Sequence, residues 1–574
     1  MKNQMFRFTM LVASLVVLVL GVASCAPATP AVVEKVVKET VVVEKVVKET
    51  VEKQVTVEKE KVVEKVVTAT PAPAPKEKVL NLYLYQKPAN FMQAQTSQGQ
   101  DAQILTNILD RVVKLDEKFV PQPDLAESWT ISPDGKTFTF KFRKGVKFHD
   151  GHDLTAEDAA YTILLAVHPA INSQWGPGYY GKIKGVKEFR EGKAQDIEGV
   201  KVPDPYTLVI ELTEPDVSFL TTLARPYCGV MPKHIWSKIK PEDALKDFNA
   251  FNPIGSGPFK FVRYVVDQYV ELEANKDYWG GRPNVDRVFF KPMTTETALA
   301  QLLAGELDFA TIAVTDIPTV KANSKLKVMS IPGVGIVQWR FNHKTLSDVR
   351  VRQAFAYAID KEGIVKAVLQ GEGFVPQGFL TFGPTWQNPN LKPYPYDPAK
   401  AKELLKAANW DSNKVLRLRA YKSVQHRQQA AEIIIQQAAA VGMKLDFQLL
   451  DPAAWNQNYT SGEWDLHYVG GGNYAIDPGA NTFYFACKPN DPMAGIVWCN
   501  PEWDALAKKA AAEVDPVKRK EMYWQLEQIL HDQVVMLPVY TDNFIFGMKA
   551  NLTGMKLHGS IDSTYWNLKD WKLE

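Results

Sequence analysis

Residues 31–67 consist almost entirely of valine, lysine and glutamate (16, 8 and 8 residues, with five others), and that composition bars them from any folded core. The segment has no aromatic side chain and its charges balance, so it lacks the apolar surface that would offset the entropy of ordering it. Val-Val-Glu-Lys-Val-Val-Lys-Glu-Thr occupies 32–40 and returns at 42–50. Valine pairs at this spacing line one side of a helix, or of a coiled coil where copies meet. Valine's poor helix propensity leaves an extended or fluctuating form equally open. The reach is roughly 55 Å as a helix and roughly 120 Å fully extended. A polyproline-like spacer at 69–76 ends the segment. Residues 25–77 therefore read as a tether, and the fold is confined to about 78–574.

The start of the chain explains what is tethered to what. Lys2 and Arg7 give a short basic region, and 8–21 is a run of apolar and small residues, the pattern of a signal peptide over 1–24. Val22-Ala23-Ser24-Cys25 resembles the lipobox of bacterial lipoproteins, which implies lipidation at Cys25. The alternative is an ordinary signal peptide cleaved near Ala23, with Cys25 incidental. On the lipobox reading the mature protein is extracytoplasmic and lipid-anchored to the cell membrane, at the surface or in a periplasm.

The remainder is a different material. The chain is 46% hydrophobic and 11% aromatic with a net charge of +2, a globular composition whose length predicts two or three domains. Near-neutral charge without a basic cluster argues against nucleic acid as a partner. After the signal peptide there is no apolar stretch of about 18 residues, so no membrane span is expected. Cys487 and Cys499 flank an 11-residue loop, and an oxidising compartment favours a disulfide between them over two free thiols. Cys228 reads as a small buried hydrophobe. The globular part is expected to be monomeric.

Local patterns alternate between strand and helix. Lys78 to Tyr85 reads as an opening strand. Ser132-Pro133-Asp134-Gly135 is turn chemistry, and Phe138, Phe140 and Phe142 follow at period two, which predicts a hairpin with one aromatic face buried. Thr155 to Asp158 has the pattern of a capping box opening a helix through Leu165. Asp348 opens another helix to about Asp360. Asp397-Pro398 and Asp515-Pro516 place a capping Asp before a Pro at the first helical position. Met522, Leu526, Ile529 and Leu530 form a core stripe on the last of these. The class is mixed α/β.

These segments also form a continuous signature. Leu125 to Trp129, the hairpin to Phe140, Arg143 to Gly151 and Leu154 to Asp158 are followed by Ile254-Gly255-Ser256-Gly257-Pro258-Phe259-Lys260 and by Asn275 to Pro283. Asp348 to Asp360, Tyr396-Asp397-Pro398, Gly462 to Leu466 and Leu537 to Tyr540 complete it. The whole, from about 78 to 545, resembles family 5 of the bacterial extracytoplasmic solute-binding proteins, the oligopeptide, dipeptide and nickel receptors of ABC transporters. The resemblance implies a two-lobed, three-domain Venus-flytrap fold. Domain I would comprise 78–113, 250–334 and 541–574, domain II 114–249, and domain III 335–540. It implies capture of an oligopeptide or dipeptide by lobe closure and delivery to the permease subunits of an ABC transporter, with no cofactor and no catalysis. Closure would remove the ligand from water and strengthen each polar contact to it.

Ligand identity is less legible. Many peptide-binding members hold the peptide's amino group with an Asp near an Asp-Pro segment. Here Asp477-Pro478 is present, but Tyr474 stands where that anchoring Asp would align, and neither Asn473 nor Tyr474 opposes an ammonium. Either Asp477 takes the role, or Asn473, Tyr474 and Asp477 suit an oligosaccharide. Nickel or another small solute is the third option. Tyr85 at the end of the first strand, Trp175 and Tyr179 in an aromatic loop, Trp339 and Asn342 before the helix at 348, and Trp386 in a Pro-rich loop are further ligand-contact candidates. For each aromatic, packing in a core or domain seam is the competing reading. Arg350 and Arg352 read as structural ion pairs.

Other motifs carry less. Gly176 to Ile183 approaches a phosphate-binding loop but lacks the Ser/Thr that would hold magnesium. His149-Asp150-Gly151-His152-Asp153 looks like a metal set. Yet Asp-Gly is turn chemistry and two histidines three apart on a turn rarely converge, so no metal ligands are assigned. Neither His-Glu-x-x-His nor a Gly-x-Ser-x-Gly elbow occurs, which leaves a secreted hydrolase unsupported. A structural lipoprotein that oligomerises through its tether is the remaining alternative class.

Overall fold

A computed structural model describes residues 77–574 except 97, 381–384, 422–424, 471–476, 488–497 and 558. The signal peptide, Cys25, the tether, Asn473 and Tyr474 lie outside the described residues. The architecture is mixed α/β.

Local chemistry sets the elements as their residues predict. In the hairpin, Gly135 takes φ +68°, a left-handed conformation that glycine adopts without steric cost, and the Ser132 N–H donates to Thr137 O across the turn. Phe138, Phe140 and Phe142 of the strand Thr137–Phe142 all point into the core. At Thr155 the capping box forms in full. The Thr155 side chain accepts from the Glu157 N–H and the Asp158 carboxylate accepts from the Thr155 N–H, opening the helix Ala156–Val167. Asp348, Asp397 and Asp515 cap Val349–Ala358, Pro398–Ala407 and Pro516–Asp532. The first of these stops before Asp360, because Ile359 is extended and Asp360 caps a second helix, Lys361–Val368.

Two sheets organise the chain. A four-stranded antiparallel sheet runs Ala126–Ile131, Thr137–Phe142, Thr207–Glu211, Val200–Asp204. A twelve-stranded sheet is threaded by one long strand, Met536–Lys549. Its first half pairs with Val337–Phe341, in register Arg340 with Met536 and Val337 with Tyr540. Its second half pairs with Leu326–Pro332 and Phe309–Thr311, in register Pro332 with Asn543 and Phe309 with Met548. Between Tyr540 and Asn543 the strand therefore changes partners, and 333–336 links the two partner strands. The short strand Gly373–Phe374 pairs with Thr541 and Asp542 at that junction.

The packed cores follow the lobes. One is built on Trp339, Phe341, Phe355 and Leu466. Another surrounds Leu80, Leu82, Phe290 and Phe309, on strands that join the long strand's second half. A third fills the face of the four-stranded sheet and continues into Trp503, Tyr523 and Leu526 of the opposite lobe. Beside that third core the Val217 N–H donates to the Ala511 carbonyl at 2.9 Å.

Candidate ligand-binding cleft

The strand Val79–Leu84 ends by delivering Tyr85 beside the first residue of the helix Gly99–Ile108. A Cβ on Gly99 would stand 2.5 Å from an Asp562 carboxylate oxygen and 2.6 Å from the Tyr85 hydroxyl. Only a residue without a side chain lets both groups approach there. Tyr227 hydrogen-bonds the Asp562 carboxylate from the other side. Burial, with Asp562 adding to it, pushes the Tyr85 and Tyr227 phenols up, so both hydroxyls stay protonated.

Arg225 extends this cluster toward the second lobe. Its guanidinium lies 5.0 Å from the Tyr179 ring centroid and donates to the Tyr179 hydroxyl at 3.2 Å. A cavity of about 60 Å³, lined by Arg225, Tyr179, Tyr227, Asp562 and Trp566 among others, separates these groups. Such a space holds a few water molecules. Arg340 lies elsewhere in the described residues, its guanidinium 5.9 Å from the Tyr484 ring. Where the long strand changes partners, Asp542 meets His426 at 3.2 Å and Arg427 at 3.7 Å. Although burial opposes ionisation, His426 and Arg427 hold the Asp542 carboxyl below its ordinary range. The Asp562 carboxylate, the Arg225 guanidinium and the Tyr179 and Tyr227 phenols therefore line one cavity, with Tyr85 beside Asp562 at Gly99. Asp562 supplies an acceptor, whereas Arg225 suits an anion.

The residues singled out in the sequence distribute unevenly around this site. Tyr85 and Tyr179 belong to it. Trp175 adjoins it but packs inward, with its indole N–H donating to the Thr96 carbonyl at 2.9 Å and its ring 5.2 Å from Tyr179. The expected flexible loop is a helical turn, Gly176–Tyr180, with Pro177 in its first positions. Trp339 is 0% exposed and packs on Phe355 at 5.4 Å inside the second lobe. Asn342 ties a loop down by donating to the Trp464 carbonyl at 2.9 Å. Trp339 faces its own core because Val337–Phe341 is a central strand covered on both sides, and Asn342, just beyond that strand, is 3% exposed.

Asp477 and Trp386 meet each other, around a residue the sequence reading passed over. Asp477 is 4% exposed and forms a two-pronged ion pair with Arg519 at 2.6 and 2.9 Å, while also accepting from the Gly479 N–H. Arg519 lies 5.0 Å from both the Trp386 and Tyr523 rings. The carboxylate proposed for an ammonium is thus occupied by a guanidinium, and Trp386 stacks on that guanidinium. Arg225, Tyr227, Tyr484 and Asp562 were also missed, and no local pattern marks them. Arg350 pairs with Asp348 at 2.7 Å, whereas Arg352 donates to backbone carbonyls, including Leu346 and Gln533. Cys487 and Cys499 form a disulfide and Cys228 is a buried free thiol.

Residues 120–492 match the model of the bacterial extracellular solute-binding proteins, family 5. The chain is 29% identical over 486 residues to the oligopeptide-binding protein AppA of Bacillus subtilis, covering 80% of this chain and 85% of that one. It is 31% identical over 435 residues to the dipeptide-binding protein of Escherichia coli, covering 72% and 80%. The structure of the oligopeptide-binding protein AppA of B. subtilis in complex with a nonapeptide superposes with a TM-score of 0.70 at 26% identity, over 87% of this chain and 99% of that one. The ABC transporter substrate-binding protein CtaP of Listeria monocytogenes gives 0.76 at 25% identity, over 87% and 99%. On the match over 120–492 the chain belongs to family 5 of the bacterial extracellular solute-binding proteins.

Proposed function

We propose that the protein captures a short peptide between its lobes and presents it to the permease of an ABC importer. The observation that carries this reading is that a carboxylate, Asp562, and a guanidinium, Arg225, line one cavity. Asp562, with the Tyr85 and Tyr227 hydroxyls, suits a free ammonium, and Arg225 suits a carboxylate or a run of peptide carbonyls. A peptide is zwitterionic and carries both. The relatives named for oligopeptide and dipeptide binding favour the same ligand class. An oligosaccharide is the second reading, favoured by the phenol-rich lining that offers stacking faces as well as hydroxyl donors.

On this proposal domains I (78–113, 250–334, 541–574) and II (114–249) form one lobe and domain III (335–540) the other. The change of pairing partner along Met536–Lys549 supports the boundary at 540. The role is delivery without catalysis. The globular part acts as a monomer outside the cytoplasm, held to the membrane through Cys25 and the tether. The Cys487–Cys499 disulfide suits that compartment, and among the described residues no helix is long and apolar enough to cross a membrane.

Thermal unfolding of the ligand-stripped protein against short peptides and oligosaccharides tests the proposal. A ligand at a hundred times its Kd adds about 2.7 kcal/mol of stability. A shift with free-amino peptides supports the reading. A shift with sugars alone replaces it with the second one, and a shift with neither removes both.

A further inference from the structure

The histidine motif at 149–153 divides in the structure. His149 turns inward, with Nε2 donating to the Gly257 carbonyl at 3.0 Å and Nδ1 accepting from the Gly255 N–H at 3.3 Å. His152 turns outward and meets His234, which arrives on the short helix Lys233–Trp236. The two imidazoles stack with centroids 3.9 Å apart and planes 22° from parallel. Asp150 bridges them, one carboxylate oxygen 3.2 Å from His152 Nδ1 and the other 2.7 Å from His234 Nε2.

We propose that Asp150, His152 and His234 form a binding site for a first-row divalent transition ion, of which Zn²⁺ is the working example. One ligand atom from each residue lies within 4.8 Å of the other two. A tetrahedral Zn²⁺ with bonds of about 2.0–2.1 Å holds its ligand atoms about 3.4 Å apart, so small side-chain rotations bring the three into place. Two imidazoles and one carboxylate are the donor set that favours zinc, copper or nickel over calcium and magnesium, which take oxygen ligands. Side-chain exposure of 61% at His152 leaves room for water to complete the coordination.

The scaffold around the three side chains is already set. The Phe148 N–H donates to the His152 carbonyl and the Gly151 N–H to the Phe148 carbonyl, closing the turn that carries Asp150 and His152. The His152 N–H donates to an Asp150 oxygen, which orients that carboxylate. On the other side, the Lys233 N–H donates to Asp158 at 2.9 Å and the Phe148 ring lies 5.6 Å from His234. Asp153, Asp158 and Glu157 stand nearby against Lys147 and Lys233, an acidic balance that suits a cation. This site is independent of the ligand assigned to the cleft.

The test is calorimetric titration of Zn²⁺ into the full chain, purified without a polyhistidine tag, alongside His152→Gln, His234→Gln and Asp150→Asn. A saturable site is expected in the parent, weakened about tenfold or more by each substitution, and unaffected by millimolar Mg²⁺. Unchanged thermal unfolding of the three variants, without metal, establishes that they are folded. Absence of binding at millimolar Zn²⁺, or the same isotherm in parent and all three folded variants, would overturn the proposal.

Discussion

Replacing Asp477 with Asn separates a structural carboxylate from a ligand anchor. Asp477 and Arg519 are each 4% exposed, and the carboxylate meets the guanidinium through two hydrogen bonds while capping Gly479. Asn preserves the shape and can keep the Gly479 bond, but it reduces the counter-charge of buried Arg519 to the field of Asp216, which Lys182 already pairs. The remaining partners of Arg519 are the Ala510 carbonyl at 3.3 Å, the Tyr523 hydroxyl at 3.4 Å and two ring faces. Removing one member of a buried pair costs about 3–5 kcal/mol, and the aromatic sandwich places this case toward about 3 kcal/mol. For a folding unit of about 200 residues that lowers the midpoint of the second lobe's transition by roughly 6–12 °C. Calorimetric melting of Asp477→Asn reads this directly. The double variant Asp477→Asn/Arg519→Gln should recover part of the loss, because it buries no lone charge. Peptide affinity measured well below the melting range should stay within about threefold of the parent. A variant that melts like the parent but no longer binds peptide would refute the reasoning and return Asp477 to the role of ammonium anchor.

Three further outcomes follow from named contacts. Gly99→Ala drives a methyl into both Asp562 and Tyr85, so peptide affinity should fall about tenfold or more by equilibrium titration; unchanged affinity would dissociate those residues from the ligand. His149 is held neutral, its pKa depressed by burial to about 4. A group with a lowered folded-state pKa binds its proton more tightly when unfolded, so for this histidine stability is lost as pH falls below about 6.5 toward 4. Urea unfolding at pH 7 and 5 should show His149→Gln losing on the order of 1 kcal/mol less than the parent across that interval, and parallel losses would count against it. Reducing the Cys487–Cys499 disulfide reopens a short loop and should cost about 2–3 kcal/mol, read as a lower melting temperature in the reductant-treated protein.

What the sequence disclosed was what short-range chemistry decides. The turn at 132–135, the caps at Thr155, Asp348, Asp397 and Asp515, and the inward phenylalanines of the hairpin each depend on neighbours within a few residues, and each formed as its pattern predicts. The family signature carried the architecture, since it spans the strands that build both lobes. The cleft was less legible because its members come from distant stretches. Asp562 reaches Tyr85 and Tyr227 only once the C-terminal segment has packed against the opening strand. Asp477 could be picked out, but its partner stands 42 residues away on a helix whose apolar stripe drew the reading. Trp339 lies on a strand buried on both faces, so alternation said nothing about which way its ring points. His152 looked isolated on its turn because His234 is far along the chain.

The central claim is that one ligand is held by both lobes, and calorimetric titration of a short free-amino peptide into Asp562→Asn and Tyr484→Ala tests it most directly. On the proposed domain division these two residues stand on opposite lobes. Loss of a desolvated charge contact costs about 2–5 kcal/mol, so Asp562→Asn is expected to weaken the peptide about thirtyfold or more. Tyr484→Ala should weaken it about tenfold, and N-acetylation of the peptide should cost the parent far more than it costs Asp562→Asn. Parent-like affinity in both folded variants would place the ligand elsewhere and contradict the account.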